Sequence, residues 1–179
     1  MKKFILSVLL FASAFTGAFC ENFRFKGDVK TAFPVFFSER QTNTFKPNPI
    51  FELKFDIPVY NNFGIVISGD FAFSDMIAGG TWYEKIGDSR FYSVFTGAYY
   101  CFEFQNGFSI IPDIQIGYTC ADINLKSFGN NLMHLFSVQT SVEFEQKINE
   151  NFGLFAITSL GYYDIYCPFS IGVGAAYIF

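Results

Sequence analysis

The sequence predicts an all-β protein, a closed antiparallel up-and-down transmembrane β-barrel of eight strands. Composition is the first observation behind this prediction: of 179 residues, 27 are Phe and 10 are Tyr, only 16% are charged, and the mean hydropathy is +0.28. A soluble domain usually carries about 25% charged residues. The second observation is that polar and apolar residues alternate in short segments. A membrane barrel accounts for both, because every second residue of its strands faces lipid.

The first twenty residues have the features of a secretory signal peptide. Lys2 and Lys3 form a basic start, residues 4–19 form an apolar stretch, and small residues lie close to Cys20. The predicted domains are therefore a signal peptide at 1–20 and a barrel domain at 21–179. Two alternatives stay open, an uncleaved membrane anchor and a lipid-anchored Cys20. The apolar stretch is shorter than the roughly 20 residues that a spanning helix needs, and Phe19 is larger than the residue usual before a lipidated cysteine.

The mature chain is acidic. Removing Lys2 and Lys3 lowers the count of basic residues from 12 to 10, against 16 acidic residues. Proteins that bind nucleic acid usually carry a basic surface. The sequence therefore predicts no nucleic-acid partner.

Short asparagine-centred turns divide the mature chain at nearly equal intervals. Asn62, Asn106 and Asn151 mark these turns, because Asn and Gly tolerate the positive φ angles of tight turns. Longer polar stretches between them predict four loops, at 38–48, 75–90, 121–131 and 164–168. Three turns and four loops separate eight strands and place both termini at the turn end of the barrel.

The alternation is clearest where charged residues occupy one face of a strand. In the first strand, charged residues at even positions from 24 to 30 alternate with apolar residues or glycine at odd positions. The second, fifth and sixth strands alternate similarly, whereas the facing of the seventh strand, at 152–163, stays open. Pro112 predicts a bulge or local break, because proline donates no ladder hydrogen bond. The charged faces give the predicted interior polar cluster: Arg24, Lys26, Asp28, Lys30, Glu52, Lys54, Asp56, Glu143 and Glu145.

Two barrels fit this alternation, one with its apolar face toward lipid and one, as in soluble lipocalins, with its apolar face around a ligand. The fourth and eighth strands carry almost no charge on either face, which favours the membrane barrel. Aromatic residues also gather at the strand ends, where a bilayer has its two interfaces. The predicted girdles contain Phe104, Phe108, Phe144 and Phe152 at the turn end, and Tyr118 and Tyr162 at the loop end.

The chain ends "GVGAAYIF", which resembles the C-terminal assembly signal of bacterial outer-membrane barrels. In that signal the last strand ends on an aromatic residue, with another aromatic two residues before it and a glycine further back. Gly174, Tyr177 and Phe179 match, while Gly172 stands where a polar residue is often found. As architecture, the whole mature chain resembles the small OmpA/OmpX/OmpW-like eight-stranded outer-membrane barrels. The resemblance implies location in the bacterial cell outer membrane and assembly by the barrel-assembly machinery.

The interior of an eight-stranded barrel is just wide enough to be filled by side chains. The basic residues of the first strand lie beside Glu52 and Asp56 of the second, and glycines of the last strand leave room for long side chains. These features predict an ion-pair plug in a sealed lumen, since a bare buried charge is costly. A hydrated polar cavity and a narrow pore stay open as alternatives.

Candidate residues for catalysis or metal binding are few. His134 is the only histidine and lies near the loop end of the sixth strand. We interpret it as a structural or solvated residue; the alternative is a base acting on lipid with Asp122 or Asp164 nearby. Thiolate, metal and phosphate motifs are missing from the sequence. It therefore predicts no catalytic residue, no metal and no cofactor.

The cysteines and the longest loop give two further hypotheses. Cys101, Cys120 and Cys167 would remain after signal cleavage, in a compartment that permits disulfides. Cys120 and Cys167 both fall near the loop end, so a bridge between them is one alternative and free thiols are the other. Trp82 and Tyr83 in the longest loop are candidate binding anchors, or packing residues on the barrel rim.

Together these features predict a non-enzymatic outer-membrane protein that stabilises the envelope or presents its loops for adhesion or ligand contact. The alternatives are a narrow pore or transport of a small or apolar solute, an enzyme at the outer rim, and a soluble ligand-binding barrel. The expected partners are outer-membrane lipid, the barrel-assembly machinery and an extracellular ligand or host factor. We expect a monomer.

Overall fold

The structure, a computed structural model, describes residues 23–34, 46–77, 85–126, 129–164 and 167–179. The predicted signal peptide, Trp82 and Tyr83 lie outside these residues. Eight long strands make up most of the described chain: β1 Arg24–Pro34, β2 Asn48–Tyr60, β3 Phe63–Ile77, β4 Lys85–Tyr100, β5 Phe108–Leu125, β6 Gly129–Lys147, β7 Phe152–Tyr162 and β8 Pro168–Ile178. Within the described ranges, no helix is long and apolar enough to span a membrane.

The strands form one closed antiparallel sheet, which confirms the predicted fold class. Each strand pairs with its neighbours in sequence, β4 pairs with β5, and β1 pairs with β8 to close the barrel. When directly paired residues are followed from strand to strand, from β1 to β7, the path starts at Phe25 near the turn end of β1 and ends at Tyr162 at the loop end of β7. The strands are therefore tilted to the barrel axis, as closure requires.

The three predicted turns are confirmed. Asn61 (φ 48°) lies in the β2–β3 turn, and Asn106 (φ 74°) and Gly107 (φ 72°) lie in the β4–β5 turn. The third turn, at 148–151, joins β6 to β7. The left-handed conformation is accessible to Asn and Gly at low cost, which explains the residues at the first two turns.

Two predicted loops are wrong over much of their length. The stretches 75–90 and 121–131 were expected to be loops, but β3 extends to Ile77, β4 begins at Lys85, β5 extends to Leu125 and β6 begins at Gly129. Most of the polar residues that predicted these loops and that the structure describes lie on the outward face of extended strands, among them Asp75, Asp88 and Asp122. Polarity there reflects exposure to water beyond the membrane rather than an irregular backbone.

Pro112 interrupts the ladder on one side only. Its pairing with Val142 of β6 is continuous. On the other side the ladder stops at Tyr99–Asp113 and resumes with the two-residue strand Phe102–Glu103 in the same register. The local break is confirmed, and a bulge is not formed, because the missing N–H of proline affects only the β4 side.

The charged faces of β1, β2, β5 and β6 point inward, and their apolar faces point outward. On β6, for example, Gln139 and Glu143 are buried, while Phe136 is 63% exposed. Phe155 and Ile157 of β7 point inward and Leu154 points outward. The odd-numbered face of β7 therefore lines the lumen, a question that the sequence left open. This arrangement is the reverse of a soluble ligand-binding barrel, so that alternative is wrong.

Candidate functional site

The turn half of the lumen contains a network of ion pairs centred on Lys26. Lys26 Nζ lies 2.6 Å from Asp56 Oδ2, 2.5 Å from Glu143 Oε2 and 3.6 Å from Glu145 Oε2. Arg24 Nη1 lies 3.4 Å from the same Glu145 oxygen. The network therefore crosses the lumen from β1 to both β2 and β6.

Lys54 extends this network to β5. Its ammonium lies 2.6 Å from Glu143 Oε1 and 2.9 Å from Asp113 Oδ2. Asp113 also accepts a 2.5 Å hydrogen bond from Ser141 Oγ. Lys54 is 1% exposed, so its charge is stabilised by these carboxylates rather than by water.

A second group of charges lies further toward the loop end. Lys30 pairs with Glu52, which also accepts a 3.4 Å hydrogen bond from Gln139 Nε2. Asp70 accepts a 3.2 Å hydrogen bond from Tyr163 Oη. Both carboxylate oxygens of Asp28 are buried without a hydrogen-bond partner among the described residues.

The sequence prediction missed part of this lumen. Asp70 and Asp113 belong to it, although neither was named in the polar cluster. Asp70 lies on the same face of β3 as Ser68, Ala72 and Ser74, all of which are buried. This face alternates with apolar outward residues such as Ile67 and Phe73, and that period of two was a signal that could have identified Asp70. Counting the buried charged residues that the structure describes, four are basic and seven are acidic.

A layer of buried apolar side chains lies inside the barrel toward the loop end. It is a cluster of buried residues from β1 to β6 and the segment after β7: Ala32, Ile50, Ala72, Met76, Phe91, Phe95, Ala121, Ile123, Leu135 and Tyr163. Phe95 and Tyr163 pack edge to face, with ring centroids 6.0 Å apart. We call this cluster the apolar cap. It lies further toward the loop end than the ion pairs.

The residues of the C-terminal motif lie at the closing seam. The Phe179 backbone N–H donates to Phe23 O over 2.9 Å, and its ring packs against Phe23 and Tyr177 at centroid distances of 5.5 Å and 4.8 Å. Gly174 pairs with Asp28 of β1 and with Phe155 of β7. Its lack of a side chain accommodates the Phe155 ring.

The outward aromatic residues fall into two groups at opposite ends of the strands. Phe104, Phe144 and Phe152 are exposed near the turn end, Phe108 is half-buried there, and Tyr118 and Tyr162 are exposed toward the loop end. Further aromatic residues accompany them that the sequence prediction did not name: Tyr60, Phe63, Tyr100 and Phe102 at the turn end, and Phe33, Phe73, Tyr92, Phe136 and Phe169 toward the loop end.

A shallow apolar groove of about 1180 Å³ lies on the outer wall. Small outward residues, among them Gly27, Gly69 and Ala156, form its floor beside larger neighbours such as Phe51 and Leu154. The groove faces the region that lipid occupies.

His134 is engaged by a neighbouring side chain. Its Nδ1 forms a hydrogen bond with Tyr118 Oη, and the two rings stack with centroids 5.7 Å apart. Asp164, a candidate neighbour of His134 in the sequence, accepts a 3.4 Å hydrogen bond from Tyr162 Oη. Among the described residues, no three His, Cys, Asp or Glu side chains are placed to hold a metal ion.

Cys101, Cys120 and Cys167 are free thiols in the structure. Cys120 lies on the outward face of β5, opposite His134, whereas Cys167 is buried just before β8. These strands are not neighbours in the barrel. In this arrangement Cys120 lies on the outer wall and Cys167 is buried beside a strand that is not its neighbour, which is unfavourable for the short Cα–Cα distance that a disulfide needs.

Strands β3 to β6 continue beyond the loop ends of the other four strands. The β5–β6 ladder runs to Leu125–Gly129, and the β3–β4 ladder to Ile77–Lys85. The β6–β7 ladder, in contrast, starts only at Val138–Tyr162. The segments 73–77, 85–91, 120–125 and 129–137 therefore form a four-stranded projection, which we call the projecting sheet.

A solvent-exposed ion pair lies at the tip of the projecting sheet on its outward face. Lys85 Nζ lies 2.8 Å from Asp75 Oδ1 and also pairs with Asp88. The hydrogen bond from Lys85 lowers the pKa of Asp75. Nearby, Arg90, Asp122 and other polar residues line a surface depression of about 610 Å³. The outward face of the projection thus carries several polar side chains on β3, β4 and β5.

No protein-family model and no curated protein matches this sequence. Solved structures do match. Neisserial surface protein A is 12% identical, with a TM-score of 0.65 over 88% of this chain and 97% of that chain. The outer membrane protein OprG from Pseudomonas aeruginosa is also 12% identical, with a TM-score of 0.64 over 88% of this chain and 95% of that chain.

Ail, the attachment invasion locus protein of Yersinia pestis, is 17% identical, with a TM-score of 0.54 over 88% of this chain and 97% of that chain. The chain has the fold of a small outer-membrane β-barrel. At these identities the likeness concerns the fold alone. The apolar exterior and charged interior of the barrel are those of a bacterial outer-membrane protein.

Proposed function

We propose that this outer-membrane barrel is non-enzymatic, that its lumen does not conduct, and that it acts through the surface at its loop end. The observation that carries the proposal is the filled lumen. Lys26, Lys30 and Lys54 are each at most 1% exposed and paired with carboxylates. The apolar cap lies between these ion pairs and the loop end. A water-filled channel would leave such side chains hydrated.

The non-enzymatic role is supported by the environment of His134. General acid–base catalysis needs a base within reach of a substrate proton and a partner that orients it. His134 Nδ1 is bonded to Tyr118 on the outward wall of the barrel. A stacked Tyr–His pair at the level of an aromatic girdle is typical of an anchor at the membrane interface.

The surface role is supported by the projecting sheet. Four strands continue past the outer aromatic residues, and their outward face carries charged side chains. We infer that this surface contacts an extracellular ligand or host factor, while lipid covers the barrel wall. The barrel-assembly machinery is the proposed partner during insertion, and nucleic acid is not proposed as a partner.

Transport of an apolar solute is the competing proposal, and the outer groove is its best support. On the lumen side of the barrel wall at this groove lie the buried side chains of Asp28, Glu52 and Asp70. An apolar solute would have to displace these charged groups to enter the lumen, which is costly. The geometry therefore supports a lipid-covered groove rather than an entry.

Single-channel recording in planar bilayers tests the closed lumen. We expect no steady unit currents from the purified wild-type chain, under conditions in which a general porin conducts. The matched comparison is a variant in which Lys54 and Glu143 are both replaced by alanine, which removes a central ion pair. Reproducible unit currents from the wild-type chain would overturn the closed lumen and favour the pore.

A further inference from the structure

Three carboxylates lie side by side in the lumen, further toward the loop end than Lys26. Asp28 of β1 is paired with Glu52 of β2, and Glu52 is paired with Asp70 of β3. All three side chains are buried inside the barrel. Directly opposite residues of an antiparallel sheet have β-carbons about 4.5–5.5 Å apart, and like charges at such positions destabilise the sheet. We call these three residues the carboxylate row.

The carboxylate row has too few cations beside it to balance its charge. Lys30 is the one buried cation of this part of the lumen, and it pairs with Glu52. Lys54 is already bound by Asp113 and Glu143 of the network at the turn end. If every group were ionised, one cation would therefore face three carboxylates in the described lumen around the row.

Asp28 is the member of the row that lacks a partner. Glu52 is paired with Lys30. Asp70 accepts a 3.2 Å hydrogen bond from Tyr163 Oη. Both carboxylate oxygens of Asp28 are buried without a hydrogen-bond partner among the described residues, and the residue is 6% exposed. An ionised carboxylate at this position has neither water nor a donor to stabilise it, which makes its charge costly.

The surroundings of Asp28 do not compensate a charge on it. Charged groups face it from four strands: Lys26 and Lys30 of β1, Glu52 and Lys54 of β2, Asp70 of β3 and Glu143 of β6. Each of these cations is already paired with another carboxylate, and the carboxylates repel a further negative charge. On the other side, β8 and β7 contribute the uncharged Gly174 and Phe155.

A metal ion is a poor candidate for balancing the row. Hard cations such as Ca²⁺ and Mg²⁺ need several oxygen ligands that converge on one point. Among the residues that the structure describes, no three His, Cys, Asp or Glu side chains are placed in that way. A proton needs only one oxygen, and it converts a carboxylate into a neutral group.

We propose that Asp28 is a proton-binding site of the lumen and carries its proton in the folded barrel at neutral pH. The proton removes one of the excess negative charges of the carboxylate row. An aspartate in an unfolded chain ionises near about pH 4, so folding of the barrel takes up one proton from neutral solution. This property of the lumen is separate from the surface function proposed above.

Urea unfolding in lipid vesicles at a series of pH values tests the proposal. Where the folded state binds one proton more than the unfolded state, stability falls as the pH rises. One proton changes the folding equilibrium constant by up to about tenfold per pH unit. We therefore expect the urea midpoint of the wild-type barrel to fall steadily between about pH 5 and pH 8.

Asp28→Asn and Asp113→Asn are a matched pair of variants for this measurement. The amide is neutral and close in shape to a protonated carboxyl group, so Asp28→Asn should remove the fall of the midpoint with pH. It should also be at least as stable as the wild-type barrel at the upper end of the range. Asp113 is bound by Lys54 and Ser141, so Asp113→Asn should lower the midpoint at every pH and keep the wild-type slope.

Infrared spectroscopy of the folded barrel detects the proton without unfolding. The C=O stretch of a protonated carboxyl group is separate from the bands of a carboxylate. We expect the difference spectrum between the wild-type barrel and Asp28→Asn at neutral pH to contain the protonated band. The difference spectrum between the wild-type barrel and Asp113→Asn should contain carboxylate bands instead.

A urea midpoint that does not depend on pH, or a wild-type slope that persists in Asp28→Asn, would overturn the proton site. Carboxylate bands in the Asp28→Asn difference spectrum would also overturn it, since Asp28 would then be ionised. Replacing Na⁺ with choline at constant ionic strength separates a proton from a metal ion. We expect no change in the wild-type midpoint, and a marked loss of stability in choline would show that Na⁺ rather than a proton balances the row.

Discussion

Gly174 of β8 leaves the space that the ring of Phe155 on β7 occupies. A β-carbon on Gly174 would contact this ring, and would also lie 2.6 Å from Gly27 O and 2.7 Å from Asp28 Cβ. Both strands that flank β8 are thus packed against this glycine. Gly174 therefore has a packing role at the closing seam in addition to its proposed role in the C-terminal assembly motif.

Gly174→Ala is expected to impair closure of the barrel in the absence of any cellular machinery. The backbone of Gly27 cannot give way as a flexible side chain would, so β1 and β8 must separate locally. The measurement is the fraction of purified chain that refolds into detergent to the boiling-sensitive form. We expect this fraction to fall severalfold.

Gly69→Ala is the matched control for this experiment. Gly69 also lies in a barrel strand, but its added β-carbon would meet Ser93 O at 3.6 Å, an ordinary contact. Refolding should be unchanged or slightly better, because alanine restricts the unfolded chain more than glycine does. Equal refolding of the two variants would show that the seam has no special need for glycine at 174.

Lys54→Met should destabilise the barrel strongly. The change removes the ammonium that lies within 2.9 Å of Asp113 and Glu143, and leaves two buried carboxylates with fewer partners. Removing one partner of a buried ion pair typically costs about 3–5 kcal/mol. Urea unfolding in lipid vesicles, followed by the gel shift, measures the loss as a lower midpoint.

Lys85→Met provides the comparison with an exposed ion pair. Lys85 bridges Asp75 and Asp88 at the tip of the projecting sheet, where water and salt screen the charges. We expect no measurable change in the urea midpoint. Equal effects of the two substitutions would indicate that water reaches Lys54, and would support the hydrated cavity over the ion-pair plug.

Thiol reactivity should differ among the three cysteines of the folded barrel. Cys120 is half-buried on the outward face, whereas Cys101 and Cys167 are buried. A small maleimide should therefore modify Cys120 first in detergent, and the other two thiols only after denaturation. Mass spectrometry of the intact chain gives the count of modified thiols, and Cys120→Ser should abolish the early modification. A disulfide between Cys120 and Cys167 in protein purified from cells would contradict this prediction.

The facing of a strand could be predicted from sequence where one face is charged. In β1, the alternation of Arg24, Lys26 and Asp28 with apolar residues shows which face points inward, because the buried cations Arg24 and Lys26 meet carboxylates inside the barrel. In β4, Phe91 and Phe95 point inward while Tyr92 and Val94 point outward. Period-two reasoning fails there because both faces are apolar, one against the cap and one against lipid.

The site itself was less accessible to sequence reasoning. Which carboxylate each lysine meets depends on the tilt of the strands: Lys54 of β2 reaches Asp113 of β5 across the lumen. The length of the projecting sheet was missed because outward polar residues such as Asp88 and Asp122 resemble a loop composition. Alternation alone does not report how far two neighbouring strands are paired, so the end of the β6–β7 ladder at Val138–Tyr162 could be read only from the paired register.

Deletion of Phe179 should separate assembly in cells from folding in detergent. In the barrel, Phe179 contributes one backbone hydrogen bond to Phe23 and two ring contacts at the turn end. Its loss removes little of the β8 ladder, which pairs with β1 from Arg24–Ile178 to Pro34–Pro168. Refolding of the purified variant into detergent should therefore remain close to that of the wild-type chain.

In cells the same deletion should sharply reduce the folded, membrane-inserted form, because it removes the terminal aromatic of the proposed assembly signal. The measurement is the boiling-dependent gel shift of membrane fractions, compared with the refolded protein. Phe179→Tyr is the control, since it keeps an aromatic ring at the terminus and should assemble normally. If the deletion variant assembles as well as Phe179→Tyr in cells, the terminal aromatic serves packing alone; if it also fails to refold in detergent, the loss is one of stability rather than recognition.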